Sequence, residues 1–290
     1  MNSKILERGS MTTTFAPLPT TASASASVAS TTTESIAFEP TPLQSYLMRI
    51  GDTCLIHAQR LAEWSGHAPI LEEDIALTNL ALDLVGQARA LLTHVGQQAG
   101  FDEDQLAFLR NERDFVNFTL AELPGRRAGQ DFANAIVRNF LLAAWMNVLW
   151  APLEASSDTE IAAIAGKAVK ESRYHVAHSA DWVVRLGDGT DESAKRMRQA
   201  VDRLWPYTAE LFETDDVDTA AAEAGLGPLR VSLKPEWDAI VAPVFAEAGL
   251  AIPATGAFRS TGSRGVHSEH MGYLLAEMQT LQRSFPGGQW

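Results

Sequence analysis

After Pro42 the apolar residues recur almost everywhere at intervals of three and four, which is the period of an α-helix. The first predicted helix runs from Leu43 to Trp64 and ends at residues 65–69, where glycine and proline stop a helix. Its apolar stripe consists of Leu47, Ile50, Cys54, Ala58 and Leu61. No run of alternating β-branched residues indicates a strand, so the pattern predicts an all-α fold.

Three more long helices are predicted. The second, over residues 72–98, begins with acidic side chains, which suit a helix N-terminus. The third, over residues 130–154, is apolar nearly all round, which is typical of a buried helix. The fourth follows the candidate N-cap Asp158 and continues to residue 186. Together with the first helix they predict a four-helix bundle.

Shorter helical segments lie between and after these four helices. One is predicted over residues 104–122, ahead of a Pro-Gly pair. Additional C-terminal helices are predicted over residues 192–212, 235–248 and 268–285. We expect the C-terminal helices to pack on the outside of the bundle or on a partner.

The first forty residues differ in composition from the rest of the chain. Residues 11–33 carry no charge and consist mostly of Thr, Ser, Ala and Pro, which cannot bury enough apolar surface to offset their ordering entropy. The composition predicts a disordered tail over residues 1–40, in which residues 1–10 precede a second methionine and resemble an added leader. The helical domain is then predicted over residues 41–290.

Composition and charge exclude several classes of function. The 290 residues carry a net charge of -13, which argues against a nucleic-acid or anionic-membrane surface. The single cysteine, Cys54, rules out a disulfide within the chain and a cysteine-rich metal site, and it is compatible with the cytoplasm. The most apolar stretch, residues 140–153, is shorter than a membrane span and predicts a core helix.

The interior of a four-helix bundle can hold two iron ions when two helices each supply a Glu and the other two each supply a Glu-x-x-His pair. The second helix offers Asp83 among leucines, where we expect it to be buried, but Gly86 stands three residues on. The fourth helix offers Glu171, followed by His175 at i+4, whereas Ser172 stands three residues before that histidine. A complete Glu-x-x-His pair is therefore missing from both helices.

The third predicted helix has no Asp or Glu from residue 132 to residue 150, and the first has Asp52 and Glu63 only outside its apolar stripe. Two dications in a dry core need more anionic ligands than this. We interpret Asp83, Glu171 and His175 as a buried hydrogen-bonded network at vestigial site positions, with no catalytic, metal-binding or cofactor-binding residue in the chain. A di-iron carboxylate oxygenase built on these three residues stays open as the alternative.

Two motifs near the C-terminus carry weaker signals. His267 and His270 have the spacing of a shared metal site, but the favoured interpretation is a helix capped by Ser268 with surface histidines. The segment 261–265 could hold an anion such as a coenzyme A phosphate through its backbone and Arg264, but a flexible loop is favoured.

Several long segments resemble the structural subunit, PaaC, of phenylacetyl-CoA epoxidases. They are residues 63–69, 71–89, 167–193, 203–215 and 261–290. The resemblance covers Leu43 to Trp290 and implies a ferritin-like four-helix bundle over that region.

The resemblance also implies a role. Members of this family pair with a homologous bundle, PaaA, that carries the di-iron centre, and PaaB and the reductase PaaE complete the enzyme. The reductase is expected to supply electrons through NADPH, flavin and an iron–sulfur centre, and PaaD is associated with assembly. The complex epoxidises the ring of phenylacetyl-CoA with O₂ in aerobic phenylacetate degradation. The resemblance assigns no catalytic residue to this polypeptide and implies a cytoplasmic hetero-oligomer, with neither nucleic acid nor membrane as a partner.

Overall fold

The computed structural model describes residues 35–125 and 131–288. Within these residues every regular element is helical, and the only β-type pairing is an isolated bridge between Thr261 and Val266. The prediction of an all-α fold is therefore confirmed. The predicted tail lies outside the described residues as far as residue 34, as do residues 126–130 and 289–290.

Ten α-helices are described, and four short 3₁₀ turns join them. The helices are α1 (Pro42–Ala62), α2 (Leu71–Ala99), α3 (Glu103–Phe108), α4 (Thr119–Glu122), α5 (Phe132–Leu153), α6 (Thr159–Gly187), α7 (Asp191–Leu204), α8 (Asp216–Glu223), α9 (Lys234–Glu247) and α10 (Glu269–Ser284). The 3₁₀ turns are Glu112–Asp114, Trp205–Phe212, Arg230–Leu233 and Gly262–Arg264.

The four long helices α1, α2, α5 and α6 form the predicted bundle. Helix α1 packs against α2, α5 packs against α6, and α2 also contacts α6. Helix α1 begins at a capping box in which the Thr41 side chain accepts from the Gln44 backbone N–H, and α2 ends at Gly100 in the left-handed conformation. The boundaries of these helices thus follow the local sequence signals.

The shorter helices cover only part of the bundle. Helices α4 and α8 pack on α1, and α7 and α9 pack on α5 and also contact α6, so α1 and α5 are buried nearly all round. The described part of the chain leaves the outer side of α2 and α6 exposed. There Leu71 is 72% exposed, Leu82 63% and Tyr174 53%.

Two predicted segments divide into smaller elements. The segment predicted as one helix over 104–122 consists of α3, a 3₁₀ turn and α4, and the buried Arg110 lies in the bend that follows α3. The segment predicted as a helix over 192–212 is α-helical only to Leu204 and then continues as a 3₁₀ turn. Pro206 stands at the start of that turn and lacks the N–H needed to continue an α-helical ladder. Helix α8 had no counterpart in the predicted elements.

Residues 35–40 contact the helical body, although the sequence placed them in the tail. The Ile36 N–H donates to the Leu109 carbonyl at 3.0 Å, and the rings of Phe38 and Phe101 meet edge to face with centroids 5.8 Å apart. The packed chain therefore begins several residues before α1.

Helices α2 and α5 are each long and apolar enough, by length and composition, to cross a membrane. In α5 the most apolar stretch of 18 residues is 83% buried inside the fold, as the prediction of a core helix at residues 140–153 requires. The corresponding window of α2 is 44% buried, because only its inner sides face α1 and α6.

Candidate functional site

The structure places His175 inside the bundle and Asp83 at its rim. The His175 side chain is buried, and its Nε2 lies 3.0 Å from Asp83 Oδ2. The Asp83 side chain is 37% exposed, so the expectation that it is buried was wrong. Burial lowers the pKa of His175, although the hydrogen bond and charge of Asp83 act in the opposite direction.

Glu171 belongs to a different set of contacts. Its Oε2 accepts a hydrogen bond of 2.9 Å from Gln87 Nε2, and its Oε1 lies 3.1 Å from Lys167 Nζ. Gln87 Oε1 in turn accepts from the Cys54 thiol at 3.5 Å. The Asp83–His175 pair and the Gln87–Glu171 pair are therefore two separate links between α2 and α6. Asp83, Glu171 and His175 do not form one hydrogen-bonded network.

Neutral groups make two further contacts across the bundle interior. His57 Nε2 of α1 lies 3.1 Å from Asn139 Oδ1 of α5, and Asn147 Nδ2 of α5 donates to Ser172 Oγ of α6 at 3.1 Å. Together with the Cys54–Gln87 and Gln87–Glu171 hydrogen bonds, these contacts bridge each adjacent pair of the four helices. We call this set the interior ring.

Two members of the interior ring are held in their uncharged forms. Burial raises the pKa of the Cys54 thiol far above its ordinary value, so the thiol stays protonated and unreactive. Burial, with the nearby positive charge of Arg138, lowers the pKa of His57 to about 3, so the imidazole is neutral at pH 7. Cys54 is thus a core residue, as the sequence predicts.

These donors do not fit the di-iron centre that the fold can hold. Helix α5 contributes amides where an acid is needed, and Glu171, the carboxylate of the interior ring, already contacts Lys167. The charge of Arg138 beside His57 would oppose a metal dication on that side. Among residues 35–125 and 131–288, no group of three or more His, Cys, Asp or Glu side chains is arranged to hold a metal ion.

Buried acids occur instead around the outside of the interior ring, where each has a positively charged or hydrogen-donating partner. Glu73 Oε2 accepts from Trp182 Nε1 at 2.6 Å and lies 3.0 Å from His178 Nε2. Asp52 is fully buried and pairs with Arg110. The sequence predicted only that Asp52 lies outside the apolar stripe, because its partner is 58 residues away and gives no local signal.

The two C-terminal histidines contact different carboxylates, His267 that of Glu122 and His270 that of Glu269. The side chain of His267 is fully buried, with Nδ1 2.7 Å from Glu122 Oε2 and Nε2 2.9 Å from the Phe115 carbonyl. The expectation of a surface position was therefore wrong for His267, whereas the cap by Ser268 is confirmed. Burial alone would lower the pKa of His267, but the hydrogen bond and charge of Glu122 outweigh it and the pKa is raised.

The loop at residues 261–265 binds a carboxylate of the chain itself. The Ser263 N–H donates to Glu210 Oε1 at 2.7 Å, and the Gly262 N–H donates to Thr119 Oγ1 at 3.0 Å. Arg264 points to the surface and lies 3.6 Å from Glu213. The backbone groups expected for an external anion are therefore engaged within the fold.

Comparisons with known proteins agree with this architecture. A solved structure, protein 19 with aldehyde deformylating oxidase activity from Synechococcus, matches with a TM-score of 0.51 at 15% identity, over 81% of this chain and 96% of that one. This likeness concerns the fold alone, which is ferritin-like as the sequence resemblance implied.

The sequence comparisons are more specific. The C subunit of the 1,2-phenylacetyl-CoA epoxidase of Escherichia coli (strain K12) is 47% identical over 249 residues, which cover 86% of this chain and 99% of the relative. The model of the family described as phenylacetic acid catabolic protein matches residues 15–290. The resemblance seen in the sequence is thereby confirmed, and the chain belongs to the phenylacetic acid catabolic protein family.

Proposed function

We propose that this chain is the non-catalytic structural subunit of a 1,2-phenylacetyl-CoA epoxidase. The observation that carries the proposal is the chemistry of the interior ring, in which amides, a hydroxyl, a thiol and a neutral imidazole accompany a single carboxylate, Glu171, where a di-iron bundle needs several carboxylates. The identity of 47% to the C subunit of the Escherichia coli enzyme, over nearly the whole length of that relative, supports the same assignment.

The interior ring explains how such a subunit stays folded without iron. A buried polar group costs free energy unless it has a hydrogen-bond partner, and each contact of the ring supplies one from a neighbouring helix, although His57 Nδ1 and Asn139 Nδ2 are buried without a hydrogen-bond partner. Cys54 joins α1 to α2, Gln87 joins α2 to α6, Asn147 joins α5 to α6, and His57 joins α1 to α5. Each contact fixes the register of one helix pair, which is the task that a metal performs in a di-iron bundle.

In this proposal the chain assembles in the cytoplasm with three other components. A homologous bundle of the PaaA type carries the di-iron centre and reacts with O₂ and phenylacetyl-CoA. A PaaB-type subunit and a PaaE-type reductase, with NADPH, flavin and an iron–sulfur centre, complete the enzyme. This chain then stabilises the catalytic bundle and contributes no group to the reaction.

The test is co-expression with a PaaA-type subunit, followed by size-exclusion chromatography and iron analysis of each species. We expect the chain alone to be free of iron and to form a stable complex whose iron content follows the partner. Iron close to two atoms per chain in the isolated protein would support the alternative, an oxygenase in its own right, and failure to bind the partner would overturn the proposal.

Two variants sharpen this experiment. Glu171→Gln and His175→Asn each remove an ionisable group that the alternative needs as a ligand. If the chain is structural, complexes with either variant keep the wild-type iron content and epoxidase activity, provided that their thermal midpoints show intact folding. A loss of both iron and activity in a folded complex would show that these residues bind the metal.

A further inference from the structure

Both ring nitrogens of the buried His267 face oxygen atoms that accept hydrogen bonds. Its Nδ1 lies 2.7 Å from Glu122 Oε2, and its Nε2 lies 2.9 Å from the Phe115 carbonyl oxygen. A neutral imidazole carries one N–H and can donate to only one of these oxygens, whereas the imidazolium donates to both. The contacts therefore select the protonated form of His267.

Glu122 is fully buried, and its carboxylate collects several donors. Its Oε1 accepts from the Ser268 N–H, and its Oε2 accepts from Asn117 Nδ2 at 3.0 Å as well as from His267. Donors of this kind favour the ionised carboxylate. Within residues 35–125 and 131–288, His267 is its only ion-pair partner, so loss of the imidazolium proton leaves a buried negative charge without a counter-charge.

Other charged or titratable side chains surround this pair. They are Arg60 and Glu63 of α1, Arg110 and Glu112 between α3 and α4, and Glu269 and His270 of α10. Arg60 donates to the main-chain carbonyls of Glu122 and His270, but its charge is paired with Glu63. Burial alone would lower the pKa of His267, but Glu122 outweighs it, and Glu112 acts in the same direction as Glu122. Among the surrounding side chains only His270 is of a type that titrates near neutral pH.

His267 stands at the start of a segment that has little apolar attachment. We call residues 266–284, which include α10, the C-terminal strap. Helix α10 packs chiefly on α3, α4 and the turn Glu112–Asp114. It buries four of its 16 residues, whereas α5 buries 18 of its 22. Since so few apolar side chains hold the strap, its polar anchors decide how readily it opens.

The strap has a polar anchor near each end. At its start, Glu122 holds the His267 side chain and the Ser268 N–H. Toward its far end, Gln279 Nε2 donates to the carbonyls of Ala107 and Arg110 at 3.2 and 3.1 Å. An amide does not titrate, so the first anchor is the one that responds to pH.

The loop before the strap is fixed independently of His267. The Ser263 N–H donates to Glu210 Oε1, and the Gly262 N–H donates to Thr119 Oγ1. Gly265 then turns the chain in the left-handed conformation, with a φ of 73°. This loop is therefore a fixed point about which the strap can open.

We propose that the His267–Glu122 pair is a pH-sensitive clasp that holds the C-terminal strap on the short helices of the fold. The clasp is closed while His267 is protonated and weakens as pH rises, so that the strap opens locally while the four-helix bundle stays folded. Opening exposes Met271, Leu274 and Leu275, which are buried in the closed state. This inference concerns the chain alone and does not depend on the proposed function.

The expected response follows from the linkage between protonation and closure. A histidine whose pKa is raised in the closed state stabilises that state fully below its free pKa, about 6.5. This stabilisation is lost as pH rises through the raised pKa. The open fraction should therefore grow by up to about tenfold per pH unit between the two pKa values and then stay constant.

Hydrogen exchange of the full-length chain, read by mass spectrometry from pH 6 to pH 9, measures this opening. Each exchange rate is divided by the intrinsic rate at the same pH, so that the resulting protection factor reports the opening equilibrium. We expect peptides of α10 to be at least about tenfold less protected than peptides of α5 at every pH, because the strap opens without global unfolding. Their protection should also fall as pH rises.

Three variants assign this pH dependence to the clasp. His267→Gln and Glu122→Gln each remove one charge of the pair, so both should lower the protection of α10 at pH 6 and make it nearly independent of pH. His270→Gln is the matched control, because it removes a histidine three residues further along the strap whose side chain is 30% exposed. This control should keep the pH dependence of the wild type.

Each contrary outcome overturns the proposal. Protection of α10 equal to that of α5 at every pH would show that the strap opens only with the whole fold. A wild-type profile without pH dependence, or one that His267→Gln leaves unchanged, would show that the pair is not a clasp. If neither variant of the pair folds, the wild type and His270→Gln still decide, because a pH dependence that disappears in His270→Gln belongs to the other histidine.

Discussion

Replacing Asp52 by asparagine removes the charge from an ion pair whose two side chains are both fully buried. Asp52 Oδ2 accepts from Arg110 Nη1 and from the Val116 N–H, each at 3.0 Å, and Oδ1 pairs with Arg110 Nη2. The guanidinium also donates to the Asp114 carbonyl at 2.8 Å and lies 4.1 Å from the centre of the Phe115 ring. Asparagine keeps the shape of the side chain but leaves the positive charge of Arg110 uncompensated in the interior.

Removing one partner of such a buried pair costs about 3–5 kcal/mol of unfolding free energy. A change of 1 kcal/mol shifts the thermal midpoint of a domain of this size by about 2–4 °C, so Asp52→Asn should lower it by roughly 6–20 °C. Differential scanning calorimetry and urea unfolding at neutral pH measure the two quantities. The surface pair of Asp238 with Lys234 supplies the control, because an exposed pair of this spacing contributes about 0.3–0.5 kcal/mol.

If Asp52→Asn lowers the midpoint no more than Asp238→Asn does, the buried pair does not hold α1 against the segment that follows α3. A double-mutant cycle adds a second check. Arg110→Met should cost less in the Asp52→Asn background than in the wild type, because the charge left behind is then removed. Simple additivity of the two substitutions would refute the reasoning as well.

Three further predictions concern other parts of the fold. Glu122 raises the pKa of His267 despite the opposing effect of burial. The protonated His267 therefore contributes fully to the free energy of unfolding below about pH 6.5, and this contribution is lost as pH rises through the folded-state pKa. Urea unfolding from about pH 6 to pH 9 should therefore show a falling stability difference between the wild type and His267→Gln. Gly265→Ala should destabilise by about 1–3 kcal/mol in thermal unfolding, because its φ is 73° and a Cβ would lie 2.4 Å from the Arg113 carbonyl oxygen. Gly86→Ala, in open space within a helix, should instead stabilise the free chain by about 1 kcal/mol.

The sequence pattern predicted the bundle because helical periodicity is a local property. It also identified α5 as a core helix, since an apolar surface on all sides needs neighbours on all sides. Buried charge pairs were not predictable in the same way, because Glu122 and its partner His267 are 145 residues apart. Nothing in the sequence near either residue distinguishes a buried, paired side chain from a solvated one.

The error at Asp83 has a different physical cause. Asp83 is surrounded in sequence by leucines, which made burial the natural expectation, yet Leu82 is among the most exposed apolar residues of the structure. The apolar character of α2 extends over the face that the chain itself leaves open, so composition alone does not locate the core side of this helix. The same ambiguity made Gly86 look like a missing ligand position, whereas it lies in the wall of an outer cleft.

A last prediction separates an interior ring made of hydrogen bonds from a vacant metal site. A ligand that binds only the folded state stabilises it by about 2.7 kcal/mol when its concentration is a hundred times its dissociation constant, so a bundle with a working iron site gains thermal stability from added Fe(II). The contacts of Gln87 with Cys54 and Glu171 already use these side chains, and α5 offers Asn147 in place of an acid. Anaerobic addition of Fe(II), or of a chelator, should therefore leave the thermal midpoint of the isolated chain unchanged. The same titration of the isolated catalytic subunit should raise its midpoint, and an equal rise in this chain would contradict the structural role proposed for the interior ring.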